Sequence, residues 1–224
     1  MIRAFFFDMD GVIFNSMPRH AAAWEKAMKR YGFDFKAYDA YLNEGRTGAS
    51  VITEYFLKVY NRPATTDEIE MIYAAKTEEF NSMGMPEPIE GIYEVLKDLQ
   101  RRGIQIWIVT GSGQDSLMAR LNKHFPGIFS RDHMITARDV KIGKPDKEPY
   151  WMALKRSGVN SDEAVVVENA PLGVKAGKAA GLFTIAVNTG PLETKVLSDA
   201  GADIVLKNMS ELLNWIENEH CNIR

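Results

Sequence analysis

The chain opens with an apolar run, Ile2 to Phe7, broken only by Arg3, that stops abruptly at Asp8-Met9-Asp10-Gly11. A continuous apolar run of this kind reads as a strand buried on both faces. From about Met17 to Met83 the period changes. Ala21, Trp24, Ala27, Met28 and Tyr31 recur at three- and four-residue steps, as do Val51, Ile52, Tyr55, Phe56 and Val59. That spacing puts each set on one face of a helix. Thr66-Asp67-Glu68 opens a further helix, with Thr66 as candidate N-cap and acids in the first turn, followed by Ile69, Ile72, Tyr73, Lys76 and Phe80. Met83-Gly84-Met85-Pro86-Glu87-Pro88 reads as a linker.

Beyond the linker, strand and helix alternate. The pattern predicts strands over 104–109, 133–136, 164–167, 183–187 and 203–206, and helices over 90–102, 114–124, 147–157, 170–180, 193–199 and 209–218. Such alternation implies parallel strands joined by crossover helices. Gly173, Gly177 and Gly181 fall four apart along one predicted helix, which reads as close packing of that helix on the sheet. The first strand belongs with this later region, so the helical block is an insertion. The expected architecture is α/β: a Rossmann-like parallel-sheet core, 1–15 plus 87–224, with an inserted all-helical cap domain, 16–86. The insertion leaves just after Asp8 and Asp10, which places it over the carboxyl ends of the strands, where ligands bind in open α/β sheets. A block placed there can act as a lid.

Composition narrows the function. The 224 residues, 46% hydrophobic and 25% charged, are enough for a sizeable core in one or two domains. A net charge of −3 provides no broad field for nucleic acid or anionic lipid, so phosphate chemistry must rest on local cations or a metal. The single cysteine, Cys221, rules out an internal disulfide framework and suits a reducing, cytoplasmic setting; it reads as an incidental thiol. Phe5-Phe6-Phe7 is too short, and Asp8 and Asp10 too polar, for a signal peptide, and no run long enough for a membrane span is expected. No exposed apolar stripe stands out, and a monomer is the default expectation.

Chemistry concentrates at the predicted strand ends. In extended backbone, Asp8 and Asp10 turn to one side, and two acids at the edge of an apolar core need a cation or a proton. Thr110-Gly111-Ser112-Gly113 follows a strand and precedes a helix; such a turn can present backbone N–H groups to an anion, or serve as an ordinary N-cap. Lys144, between Gly143 and Pro145, could neutralise a carboxylate or a phosphate oxygen, or be a surface lysine. Glu168-Asn169 ends the strand over 164–167, and an acid there is a natural further oxygen ligand for a hard cation.

The ordered set D-x-D-G, T-G-S, G-K-P and E-N, each after a strand, resembles the haloacid dehalogenase superfamily of phosphotransferases. More narrowly it resembles the β-phosphoglucomutase-like branch, whose helical cap is inserted after the first motif and which includes pyrophosphatases. The resemblance covers the whole chain. It implies Asp8 as the nucleophile that forms an aspartyl-phosphate and Asp10 as general acid/base. It implies Thr110 and Lys144, with Gly111 and Ser112, as holders of the transferring phosphoryl group. A Mg²⁺ ion would be bound by Asp8, the Asp10 main-chain carbonyl, Glu168 and Asn169. A raised pKa is expected for Asp10 from the neighbouring acids.

The chain also departs from the pattern. Asn169 stands where many relatives carry a second acid, so one negative charge is lost, either as harmless drift or with compensation. In the cap loop Asn43-Glu44-Gly45-Arg46-Thr47-Gly48, Glu44 and Gly48 stand where the mutases carry a lysine and an arginine that grip a distal phosphate. Arg46 could substitute for one of these. Glu44 is either a solvated loop acid or a group that swings down on closure, restores the missing charge at the metal and crowds out a hexose. His20 is expected in substrate or proton handling or as a polar hinge residue, Trp24 in the cap core, and Asn15 and Ser16 as the hinge and its helix cap. The expected activity is a Mg²⁺-dependent phosphohydrolase acting on a small phosphorylated metabolite or pyrophosphate. The alternative is a β-phosphoglucomutase interconverting β-glucose 1-phosphate and glucose 6-phosphate. A haloalkanoate dehalogenase would not need Asp10 or Glu168, and an inactive descendant would not keep the full set.

Overall fold

The computed structural model describes residues 1–112 and 117–220. A six-stranded sheet has the order β3-β2-β1-β4-β5-β6, with every pairing parallel. The strands are β1 (Ala4–Phe7), β2 (Gln105–Val109), β3 (Met134–Ile135), β4 (Ala164–Glu168), β5 (Phe183–Val187) and β6 (Ile204–Leu206). β1 lies at the centre, with Phe7 paired to Ile108 on one side and Val167 on the other. All four β1 residues are fully buried. Phe5 and Phe7 enter one apolar layer with Ile92, Leu96, Leu121 and Phe125, while Ala4 and Phe6 enter the opposite layer with Trp107, Tyr150 and Leu182. This is the two-residue period of a strand covered on both faces. Each buried phenylalanine contributes roughly 1.5–3 kcal/mol. That anchorage offsets the cost of ending the strand in carboxylates.

The covering helices are α5 (Ile92–Arg101), α6 (Leu117–His124), α7 (Glu148–Ser157), α8 (Pro171–Ala179), α9 (Thr194–Asp199) and α10 (Met209–Trp215). Predicted and observed bounds agree to within a few residues. The expected start of α6, Gly113 and Cys221 lie outside the described residues. Among the described residues, no helix is long and apolar enough to cross a membrane.

Between β1 and β2 run α1 (Met17–Arg30), α2 (Ala37–Leu42), α3 (Gly48–Tyr60) and α4 (Thr66–Ser82). α1 packs on α2 and α4, and α3 packs on α4. Their apolar cluster, with Met28, Phe33, Ile52, Phe56 and Ile72, continues onto Val174 of α8, Ala186 of β5, and Leu192 and Leu197 at α9. The segments that connect this block run side by side: Asn15 N donates to Glu87 O at 2.8 Å and Ile89 N to Ile13 O at 2.9 Å.

Several local expectations change. The N-cap of α4 is Thr65, not Thr66, in a reciprocal capping box with Glu68. Val59 is exposed, because the apolar face of α3 ends at Phe56. The short helix α2 went unpredicted. The three spaced glycines do different work: a β-carbon on Gly177 would press on Thr184, and Gly181 occupies a left-handed turn after α8 with φ +75°. A β-carbon on Gly173 would overlap the Glu168 carboxylate.

Replacing Gly173 with alanine therefore sets a helix-propensity gain of about 1 kcal/mol against displacement of a buried, hydrogen-bonded carboxylate. The displacement dominates. Gly173→Ala is expected to lower stability by about 1–3 kcal/mol, read as a reduced urea midpoint with unchanged m-value.

Candidate active site

β1, β2 and β4 end side by side, and their ends carry Asp8, Thr110 and Glu168. Gly11, at φ +82°, turns the chain after β1 and leaves room for the Asn169 amide. Thr189 Oγ1, from the segment after β5, donates to Gly11 O at 2.6 Å and braces this turn.

Lys144 reaches into the centre from the loop before α7. Its Nζ donates to Asp8 Oδ1 at 2.5 Å, Glu168 Oε1 at 2.6 Å and Val109 O at 3.0 Å. It is buried, not a surface lysine. Tyr150 Oη donates to the same Glu168 oxygen at 2.5 Å. Ser112 N donates to Thr110 Oγ1 at 3.1 Å, and Thr110, Gly111 and Ser112 line the cleft above.

The cap loop lies down on this centre. The Gly45 backbone packs over Lys144, Gly111 and Gly143. Glu44 Oε2 accepts from Asn169 Nδ2 at 3.0 Å. Part of Glu44 faces solvent, but its carboxyl end is enclosed. Glu44 Oε1 and Asn169 Oδ1 are both buried without a hydrogen-bond partner. Arg46, the candidate substitute cation, also lines the cleft, but four of its five N–H donors go to Asn43 Oδ1, Ser50 Oγ, Ser50 O and Glu54 within the inserted block. It offers no free guanidinium to a substrate.

The Asp10 side is built differently. Ser16 Oγ donates to Asp10 Oδ1 at 2.5 Å and makes no helix-capping bond, so its expected capping role is not what it performs. His20 Nε2 lies 3.5 Å from the same oxygen. His20 Nδ1 is 2.9 Å from Lys76 Nζ, and the His20 ring stacks on Phe80 at 4.2 Å. Trp24 lines the cleft and packs against Phe35 and Tyr73.

Electrostatics follow from this crowding. Burial pushes the Asp8 carboxyl up to about 7 against the pull of Lys144, with Glu168 and Asp10 adding to the rise. Burial, with the charges of Asp8, Glu168 and Asp10, holds Glu44 well above the usual carboxylate range. Lys144 loses charge stabilisation through burial, but Asp8 and Glu168 more than restore it. Asp10 moves opposite to expectation. Burial raises it, but the hydrogen bond and charge of His20, the Ser16 hydroxyl and the Arg120 charge together hold it below its ordinary value. It rests as a carboxylate.

The carboxyl groups of Asp8, Glu44 and Glu168 thus share the one ammonium of Lys144, an imbalance that a hard cation relieves. The donor chemistry fits Mg²⁺: these are oxygen donors, and Glu44 and Asn169, joined by one hydrogen bond, each keep a buried oxygen without a partner. Among the described residues, no three acidic, histidine or cysteine side chains already form a metal-binding group.

Sequence reading missed Ser16, Lys76, Arg120 and Tyr150. Lys76 left a signal, a cation in the apolar row of α4, and Arg120 another, between Leu117 and Leu121. Burial holds Lys76 down at about 8, with Asp10 opposing. Below that pH both folded and unfolded chains carry the charge, and its burial is a constant cost. From about 8 to 10.5 only the unfolded chain keeps the proton, so stability rises with pH across that window. Lys76→Met is expected to be more stable than the parent at pH 7 by about 2–3 kcal/mol, an advantage that shrinks as chemical denaturation is repeated toward pH 10.5.

Known proteins resemble this chain. The family model for haloacid dehalogenase-like hydrolases matches residues 2–181. Hexitol phosphatase A of Escherichia coli (strain K12) is 30% identical over 215 residues, covering 94% of this chain and 93% of the relative. Pyrophosphatase PpaX of Bacillus velezensis is 36% identical over 148 residues, 66% of this chain and 68% of the relative. A solved structure from Bacteroides vulgatus, described provisionally as a beta-phosphoglucomutase, superposes with a TM-score of 0.93 at 51% identity, covering 96% of this chain and 88% of that one. With its strand-end motifs, its inserted helices and a match over most of its length, the chain belongs to the haloacid dehalogenase-like hydrolases, as a phosphoryl-transfer enzyme of their β-phosphoglucomutase-like branch.

Proposed function

We propose that this enzyme is a Mg²⁺-dependent phosphohydrolase working through an aspartyl-phosphate on Asp8, with a small, highly charged substrate: pyrophosphate or a short phosphate ester. The observation that carries the reading is Glu44, a cap-loop acid whose carboxyl group sits against Asn169 with one oxygen buried and unpartnered. A carboxylate there compensates for the charge that Asn169 lacks and fills space that a hexose would need.

Asp8, the Asp10 main-chain carbonyl, Glu168, Asn169 and Glu44 would hold the Mg²⁺. When bound, the ion supplies positive charge that offsets repulsion between the Asp8 carboxylate and an anionic phosphate. Lys144 holds Asp8 Oδ1 and fixes the carboxylate plane, and attack falls to Oδ2. Thr110 and the Gly111 and Ser112 backbone orient the phosphoryl oxygens. As the Asp8–phosphorus bond forms, the bond from phosphorus to the leaving oxygen breaks. Water then attacks the aspartyl-phosphate, Asp10 takes its proton, and phosphate departs with Asp8 restored. Asp10 is suited to the second step because it rests deprotonated. A departing alkoxide needs a proton donor, whereas a departing phosphate is stable as an anion. The E. coli and B. velezensis relatives, a phosphatase and a pyrophosphatase by name, lend support.

A phosphomutase is the second reading, favoured by the description of the B. vulgatus structure. A mutase must hold a bisphosphate at both ends, and Arg46 is spent within the cap.

Steady-state assays across a Mg²⁺ titration test the proposal, with pyrophosphate, acetyl phosphate and hexose phosphates as substrates. Pyrophosphate hydrolysis is expected to dominate. Glu44→Ala is expected to lower its kcat/KM at least tenfold and to raise the half-activating Mg²⁺ concentration. Unchanged hydrolysis and Mg²⁺ dependence in Glu44→Ala would remove the support. Glucose 6-phosphate formed from β-glucose 1-phosphate and a bisphosphate primer, without free phosphate, would establish the mutase instead.

A further inference from the structure

We propose that Arg120 is a specificity-determining residue that contacts the leaving half of the substrate, so that the site selects a leaving group that is itself an anionic phosphate over one that departs as a neutral alcohol. This inference rests on the hydrolase reading above and adds to it a residue that recognises the second phosphoryl group.

Arg120 lies on α6 and is 9% exposed, yet it lines the same cleft as Asp10 and His20. Its guanidinium carbon stands 5.0 Å over the Phe14 ring, and Nη2 lies 3.8 Å from Met9 Sδ. A thioether is a weak acceptor and a guanidinium has five donors. Among the described residues, Arg120 forms no ion pair with a carboxylate. A cation this buried and this poorly matched is costly on its own. An anion entering the cleft would offset that cost.

The other cleft cations are engaged. Lys144 holds Asp8 and Glu168, Arg46 holds Glu54, and Lys76, also without a carboxylate partner among the described residues, is turned to His20 and the faces of Trp24, Tyr73 and Phe80. Arg120 is also on the correct side. It lines one cleft with Asp10 and His20, and in the mechanism proposed above Asp10 activates the water that enters where the leaving group departed. A phosphate leaving group gains charge as that bond breaks, and a planar guanidinium can meet two of its oxygens at once. An alcohol leaving group gains little from the same contact. The cap loop lacks a free cation for a distal phosphate. The core helix α6 supplies one from below.

The test compares the full-length enzyme with Arg120→Met, which keeps the packing on Met9 and Phe14, and with Arg120→Lys, which keeps the charge. The quantity read is the ratio of kcat/KM for pyrophosphate to that for glycerol 1-phosphate. Arg120→Met is expected to lower this ratio at least tenfold, and Arg120→Lys to restore part of it. Calorimetry with Mg²⁺ in the Asp8→Asn background gives a second readout: Arg120→Met should weaken pyrophosphate binding at least tenfold more than orthophosphate binding. Equal losses on both substrates, or an unchanged ratio, would assign Arg120 to positioning Asp10 and overturn the inference while leaving the hydrolase reading intact. If the parent enzyme hydrolyses neither substrate, the hydrolase reading fails, and the binding comparison still decides the case of Arg120. Should Arg120→Met not fold, Arg120→Gln carries the same expectations.

Discussion

One ammonium group holds the centre of this molecule together. Lys144 meets the carboxylates ending β1 and β4 at hydrogen-bonding distance, and those strands are neighbours in the middle of the sheet. Without it, Asp8 and Glu168 would face each other across an apolar core with nothing to separate them. Breaking such a buried pair leaves an uncompensated charge and typically costs several kcal/mol, although forming it adds little net stability. The arrangement therefore specifies geometry more than it strengthens the fold. Tyr150, Gly173 and the Val109 carbonyl serve the same purpose: each removes a degree of freedom from the lysine or from Glu168.

The lysine does not balance the site. Further carboxyl groups arrive from the cap loop and from the turn after β1. The excess negative charge appears as proton affinity at Asp8 and Glu44. Asp10, two residues from Asp8, escapes because the helical block surrounds it with Ser16 and His20, and α6 brings Arg120. Two acids of one motif thus acquire opposite tendencies from different neighbours. Separation of that kind assigns distinct roles to paired carboxylates.

Much of this was legible in the sequence because it lies in short-range patterns. The apolar run before Asp8 fixed the central strand, and the later alternation gave the parallel sheet and its crossover helices. Asp8, Thr110, Lys144 and Glu168 were legible because each follows a strand. What escaped depends on contacts between distant segments. Ser16 reads as a helix cap from its neighbours alone, and only the turn of the chain after Gly11 brings it to Asp10. The lowered pKa of Asp10 needed His20 and Arg120, one from the inserted helices and one from the core. Arg46 reads as a free cation until the next turn of α3 brings Glu54 beneath it. Tyr150 looks like an ordinary apolar-face residue, because period alone does not show which polar tip a face conceals.

The paired segments at the base of the helical block carry a consequence for how such enzymes diversify. Asn15 and Glu87 are joined by one backbone hydrogen bond, although seventy-odd residues separate them along the chain. To the sheet, everything between is a loop closed at its neck. Its contents can lengthen, shorten or be exchanged without shifting the register of β1 against β2 and β4. Asp8, Lys144 and Glu168 stay with the sheet, while the inserted helices that roof the cleft form a cassette that can be rewritten at little structural cost to it.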